Sequence, residues 1–129
     1  MKTSELTGSS LDWAVAKARF GTERITLAKF CRGGFFSLFH SRNDYLAVLV
    51  DSCTTNPSTN WAQAGPIIEK EKIGILFYVD HIPDDADEPI WVASCGGERA
   101  LGHTPLIAAM RCYVLLELGK DVEIPEELI

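Results

Sequence analysis

The sequence predicts an α+β fold, with helices packed on an antiparallel sheet in a layered sandwich. Three observations lead there. Residues 106–118 carry only Arg111 and Glu117 as charges and are bounded by Thr104-Pro105 and Gly119, which marks both ends of a helix with almost no polar face. Residues 72–80 and 90–94 are apolar runs rich in β-branched and aromatic residues, separated by a Pro- and Asp-rich turn, as in an antiparallel pair. An N-terminal segment with helical spacing supplies a further helix. Helices set on an antiparallel sheet give a layered α+β domain. At 129 residues, the whole chain, 1–129, is expected to be one such domain.

Taken in order, residues 4–19 read as a helix. Thr7, Leu11, Ala14, Val15 and Ala18 share a face, Gly21 stops the run, and Lys17 and Arg19 suit the dipole at its C-terminal end. Trp13 lies off that stripe, either flanking the core or exposed for stacking on a ligand. Residues 25–32 and 35–40 read as two short strands around Gly33-Gly34, a hairpin signal. Residues 45–50 form a third apolar run, after the turn-like Ser41-Arg42-Asn43-Asp44; it is too short for its period to choose between strand and helix.

Residues 51–59 are loop by composition. A helix then starts near Ser58 or Thr59 and includes Trp61, and Gly65-Pro66 is expected to interrupt it. A proline inside a helix removes one backbone bond and clashes with the carbonyl four residues back. A second turn beginning at Pro66 would leave free N–H groups at two adjacent helix starts. After the strand at 72–80, residues 83–89 form a turn. Its acids Asp84, Asp85, Asp87 and Glu88 lack the Gly and terminal Glu of a calcium loop, so a solvated hairpin tip is expected. Residues 95–102 read as a flexible connector. Thr104 is then an N-cap, Pro105 fits the first helical position, and Gly119 suits the left-handed position after the helix. The acidic tail from Lys120 can pack Val122, Ile124 and Leu128 as an extended piece.

The capped helix carries Arg111 into an apolar interior, where an unpaired guanidinium would be very costly. It must meet a carboxylate such as Glu69, carbonyl oxygens, or an anionic ligand. Charge elsewhere is uneven. Residues 1–50 sum to +3 and residues 51–129 to −9, within a net charge of −6. That excludes double-stranded DNA as a partner for the whole surface, though the basic N-terminal part could face an anion. Met1-Lys2-Thr3-Ser4-Glu5 is polar and no apolar signal core follows, so no signal peptide is expected. No run approaches the roughly 18–20 apolar residues of a membrane span. Cys31, Cys53, Cys95 and Cys112 are widely spaced, which favours reduced thiols over a disulfide framework. With His40, His81 and His103 they include no close ligand pair, so neither a metal nor a cofactor is expected.

Three blocks carry a family resemblance. They are Ser4-Glu5-Leu6-Thr7-Gly8 with Leu11-Asp12-Trp13-Ala14-Val15; Asn56-Pro57-Ser58-Thr59-Asn60-Trp61-Ala62-Gln63-Ala64-Gly65-Pro66-Ile67-Ile68-Glu69; and Gly102-His103-Thr104-Pro105-Leu106-Ile107-Ala108-Ala109-Met110-Arg111-Cys112-Tyr113-Val114. Together with the tail Val122-Glu123-Ile124-Pro125-Glu126-Glu127-Leu128, they resemble small proteins of tailed phages of the NinX type, and more broadly a set of phage α/β sandwich domains. Asn60 stands where related sequences often carry Asp, and His103 where Pro is common; residues 20–55 match least. The resemblance implies a bacteriophage accessory protein acting in the cytoplasm of the infected bacterium, with no enzyme activity attached to the family.

Residues suited to a phosphate-and-base ligand are the hydroxyls of Ser58 and Thr59 with Asn60, the N–H groups after Thr59 and Pro66, the aromatics Trp13, Trp61 and Trp91, and His103, Thr104 and Arg111. By analogy with small layered phage proteins that sequester nucleotide-type alarm signals, these residues suggest a non-enzymatic counter-defence sponge, working as a homo-oligomer. The same residues could instead only cap helices and pack the core. A second reading is a factor that inhibits or adapts a host protein through its acidic half or the Phe35-Phe36 region. A nucleotide hydrolase is the third, through His103 with Cys95 or His81 with Asp80. No glycine-rich phosphate loop or nucleophile elbow supports it.

Overall fold

The computed structural model describes residues 1–20, 25–26, 37–40, 48–51, 56–78, 90–124 and 126. The turns expected at Gly33-Gly34, 41–44 and 83–89, along with Cys31, Cys53, His81 and Leu128, lie outside the described residues. The described elements are α1 (Gly8–Phe20), β1 (Ile25–Thr26), β2 (Ser37–His40), β3 (Val48–Asp51), α2 (Trp61–Glu71), β4 (Gly74–Tyr78), β5 (Ile90–Cys95), β6 (Glu98–Gly102) and α3 (Pro105–Leu118). They form an α+β fold with two antiparallel sheets, ordered β1-β2-β3 and β4-β5-β6. The run at 45–50, which its period left open, contributes the strand β3.

Helix α3 is the centre. The Thr104 hydroxyl accepts from the Ile107 N–H at 3.1 Å, Pro105 opens the helix, and the Gly119 N–H closes it on the Leu115 carbonyl. Leu106, Ala108, Ala109, Met110, Arg111, Cys112, Tyr113 and Val114 are all buried. A helix apolar all round needs cover on every side, and α3 obtains it from β4, β5 and β6, from α1 and from α2. Ile75, Ala93 and Ala100 lie in register across the sheet and pack into this core. A β-carbon on Gly102 would sit 2.5 Å from the Ala108 backbone nitrogen, so glycine is what lets the end of β6 approach the start of α3.

Residues 95–102 are not the flexible connector expected from their glycines. Gly96 and Gly97 both have positive φ, +53° and +84°, the backbone of a two-residue hairpin turn whose twist matches the strands it joins. The chain therefore returns at once as β6, with Cys95 opposite Glu98 and Val92 opposite Leu101.

Helix α2 also departs from expectation, because it runs unbroken through Gly65-Pro66. The residue before a proline is normally forced out of helical conformation by a clash involving its own β-carbon. Gly65 has none, so the helix continues at the cost of one backbone bond.

At the N-terminus, helix does not begin at Ser4. Thr3–Glu5 form a short 3-10 turn, Leu6 is extended, and Gly8 takes a φ of +53° where the chain enters α1. The segment before it is tied to the chain beyond α3. The Thr3 N–H donates to the Lys120 carbonyl, the Val122 N–H to the Met1 carbonyl, and the Thr3 hydroxyl to the Gly119 carbonyl at 2.6 Å. Val122 and Ile124 are buried as that extended piece.

Candidate anion-binding cleft

The late start of α1 has a consequence for Arg111. In a helix beginning at Ser4, the Leu6 carbonyl would be taken up by the helical ladder. Here it accepts from Arg111 Nε at 2.8 Å, while the Leu101 carbonyl accepts from Arg111 Nη1 at 2.9 Å. Of the three partners open to this guanidinium, the chain thus supplies carbonyl oxygens. These accept hydrogen bonds without neutralising the positive charge. An arginine has five N–H donors, and burial lowers the Arg111 pKa below its ordinary value, so the cation sits in a poorly solvating place.

Arg111 also lines a cleft of about 810 Å³. One wall is the face of the β4–β6 sheet turned away from α3, with Tyr78, Val92, Arg99 and Leu101; the terminal segments bring Lys2, Thr3, Ser4, Lys120 and Asp121; Leu115 and Ala100 complete it. Among the described residues, four cations and one carboxylate line this cleft, in a chain whose net charge is −6. Apolar side chains form much of the remaining wall, and Tyr78 is partly exposed. Such a surface suits an anion with an apolar or planar body: the cations take the charge and the walls exclude water, which strengthens the attraction.

Of the sequence-predicted site residues, Arg111 alone lines this cleft. Asn60, not Ser58 or Thr59, caps α2: its side-chain oxygen accepts from the Ala62 N–H at 3.0 Å, and its carbonyl accepts from Gln63 and Ala64. The N–H groups of Ala62, Gln63 and Ala64 are therefore already in use there, and Pro66, inside a continuous helix, provides no second start.

Ser58 is 2% exposed; its N–H donates to Asp12 Oδ1 at 2.9 Å, tying the loop to α1. Burial raises the Asp12 pKa to about 6, against the opposing influence of Ser58. The Ser58 hydroxyl lies close enough to contribute but reaches no partner at hydrogen-bonding geometry among the described residues. Thr59 lies in the turn before α2, its N–H bonded to the Asn56 carbonyl. Trp61 is 57% exposed at the start of α2. Trp13 is buried, with Lys17 Nζ 5.1 Å from its ring centre, and Trp91 meets Phe77 edge-on at 5.1 Å. Thr104 spends its hydroxyl on the α3 cap, and His103 is exposed. Pro66 borders a separate cavity of about 260 Å³, beside Arg19, Lys70 and Tyr113.

Lys2, Arg99, Lys120 and Tyr78 carry the cleft and were not singled out in the sequence. The one available signal was the alternation of Arg99 and Leu101 after Gly96-Gly97, which reads as one strand face once the hairpin is recognised.

The molecule is thus a small layered α+β protein with a cleft lined by cations and apolar side chains. The chain belongs to the phage family described as Bacteriophage P22, NinX, whose model matches residues 2–117. That span holds every cleft residue except Lys120 and Asp121. A comparison with curated proteins found no match. Among the described residues, no helix is long and apolar enough to cross a membrane.

Proposed function

We propose that this phage accessory protein is a non-enzymatic binder that sequesters a small nucleotide-type anion, an immune signal of the infected bacterium, in the cleft beneath Arg111. The supporting observation is a buried guanidinium whose hydrogen-bond partners among the described residues are the Leu6 and Leu101 carbonyls, facing a cleft that also gathers Lys2, Arg99 and Lys120. Phosphate oxygens would relieve that charge. Tyr78 offers a ring for a base, and Asp121 an acceptor for a sugar hydroxyl or exocyclic amine.

Among the described residues, the lining contains no histidine or cysteine and a single carboxylate, which favours binding over acid–base chemistry. Cys95, considered above with His103, is buried against Cys112. The protein would act in the host cytoplasm, and its exposed sheet face, with Leu76 72% and Leu101 52% exposed, is the surface for homo-oligomers. The same face supports a second reading, docking of a host protein.

The test is to denature freshly purified protein and search the released small molecules by mass spectrometry. Thermal-shift titration with ADP-ribose, cyclic di- and trinucleotides and inorganic phosphate accompanies it. The first reading expects a released nucleotide, or a saturable stabilisation by one of these probes. A co-purifying host protein with no nucleotide would favour the second.

A further inference from the structure

Cys95, the last residue of β5, and Cys112, in the middle of α3, are both buried free thiols with their sulfurs 3.2 Å apart. We propose that they form an oxidisable dithiol pair: a modification site whose co-reactant is hydrogen peroxide and whose product is a disulfide joining β5 to α3.

The distance points to this chemistry and away from a metal. Two thiolates on one tetrahedral zinc, each about 2.3 Å from the ion, stand roughly 3.7 Å apart, and no group of three or more metal-ligating side chains occurs among the described residues. A disulfide needs about 2.0 Å between sulfurs, an approach of about an ångström that small rotations of both side chains can supply. The surroundings hold the pair in place. The Cys112 thiol also lies 3.5 Å from the Glu98 carbonyl. A β-carbon on Gly96 would come within 2.7 Å of Leu116, so the hairpin next to Cys95 is seated closely on α3.

Burial raises the Cys112 thiol pKa, as expected for a sulfur inside the core. One sulfur of the pair takes one oxygen from hydrogen peroxide, giving a sulfenic acid and one water. The other sulfur then attacks that sulfur, and its proton leaves with the hydroxyl as a second water. Two thiols and one peroxide thus give one disulfide and two waters. Peroxide is small enough to reach a buried pair; bulky disulfide reagents are not. The bond closes a loop containing all of β6 and the first turns of α3, including Arg99 and Arg111. Because such a link removes entropy from the unfolded chain, oxidation stabilises this half of the fold. The inference stands on the thiol geometry and is independent of any ligand in the cleft.

The native chain is treated with hydrogen peroxide, unfolded in alkylating agent and mapped by mass spectrometry without reduction. The expected result is a cross-linked pair of peptides containing Cys95 and Cys112, about 2 Da lighter than their sum, and a rise in Tm of about 5 °C or more. A thiol reductant should reverse both. Cys112→Ser should show no such rise. Recovery of both thiols alkylated, after exposure that fully oxidises a free thiol added alongside, would overturn the proposal. So would sulfinic acid at either position, pairing with Cys31 or Cys53, or an equal Tm gain in Cys112→Ser. Mapping on the native chain decides the matter even where the variant fails to fold.

Discussion

Arg111 joins structure and ligand in one side chain. Its removal leaves the Leu6 and Leu101 carbonyls without their donor and opens a void, so Arg111→Ala should cost about 2–4 kcal/mol and lower Tm with no ligand present. Arg99 is exposed, so its loss separates the two roles. Arg99→Ala should leave stability within about 0.5 kcal/mol while weakening nucleotide retention roughly tenfold, or about 1.4 kcal/mol, readable by calorimetric titration. A large fall in Tm for Arg99→Ala would show a structural role instead.

Asp12 adds a pH signature. Folding raises its carboxyl from 3.8 to about 6, so the folded chain holds that proton more tightly than the unfolded chain. The stabilisation is complete below about pH 4 and is lost as pH rises through about 6, a difference on the order of 3 kcal/mol. Asp12→Asn keeps an acceptor for the Ser58 N–H and has no charge to bury. Urea unfolding from pH 4 to 7.5 should show a flatter profile for the variant and greater stability than the native chain at pH 7.5; identical slopes would exclude Asp12 as the cause.

Among the elements, α3 was legible because its information is local. Thr104, Pro105 and Gly119 mark its ends, and the uniform apolar run between them admits only a central position. Strand β6 was not, although Gly96-Gly97 carries the same dipeptide signal as Gly33-Gly34, because five residues with an exposed face resemble a loop. Helix α2 was misread as broken because the steric rule for proline depends on its neighbour, and Gly65 relaxes it. That neighbour effect is testable. Pro66 is exposed, so Pro66→Ala should stabilise by about 1–3 kcal/mol through the restored backbone bond. Gly65→Ala alone should gain little, because its new β-carbon would meet the proline ring. With Pro66→Ala in place, it should add up to about 1 kcal/mol. Chemical denaturation of the three variants reads this coupling, and strict additivity would contradict it.

Over the whole molecule, the cleft was hidden from linear reading because its charges come from four separate places: Lys2 before α1, Arg99 on β6, Arg111 on α3 and Lys120 beyond it. No motif joins them; the ladder between the terminal segments and the closeness of β6 to α3 does. The sequence showed a basic N-terminal part and an acidic remainder, yet Arg99, Arg111 and Lys120 of the cleft belong to the acidic part. A local positive field on a net-negative chain should make binding of a phosphorylated ligand weaken as salt is raised, with partial screening inside the walls. The fold was therefore largely readable from periodicity and caps, whereas the site required tertiary contacts.

The most direct measurement is a thermal-shift titration of the native chain and of the Arg99→Ala, Lys120→Ala double variant with ADP-ribose, cyclic di- and trinucleotides and inorganic phosphate. A saturable rise in Tm with at least one nucleotide probe, following mass action and lost in the variant, is the expected result. No rise with any probe, or an equal rise in both proteins, would contradict anion binding in the Arg111 cleft.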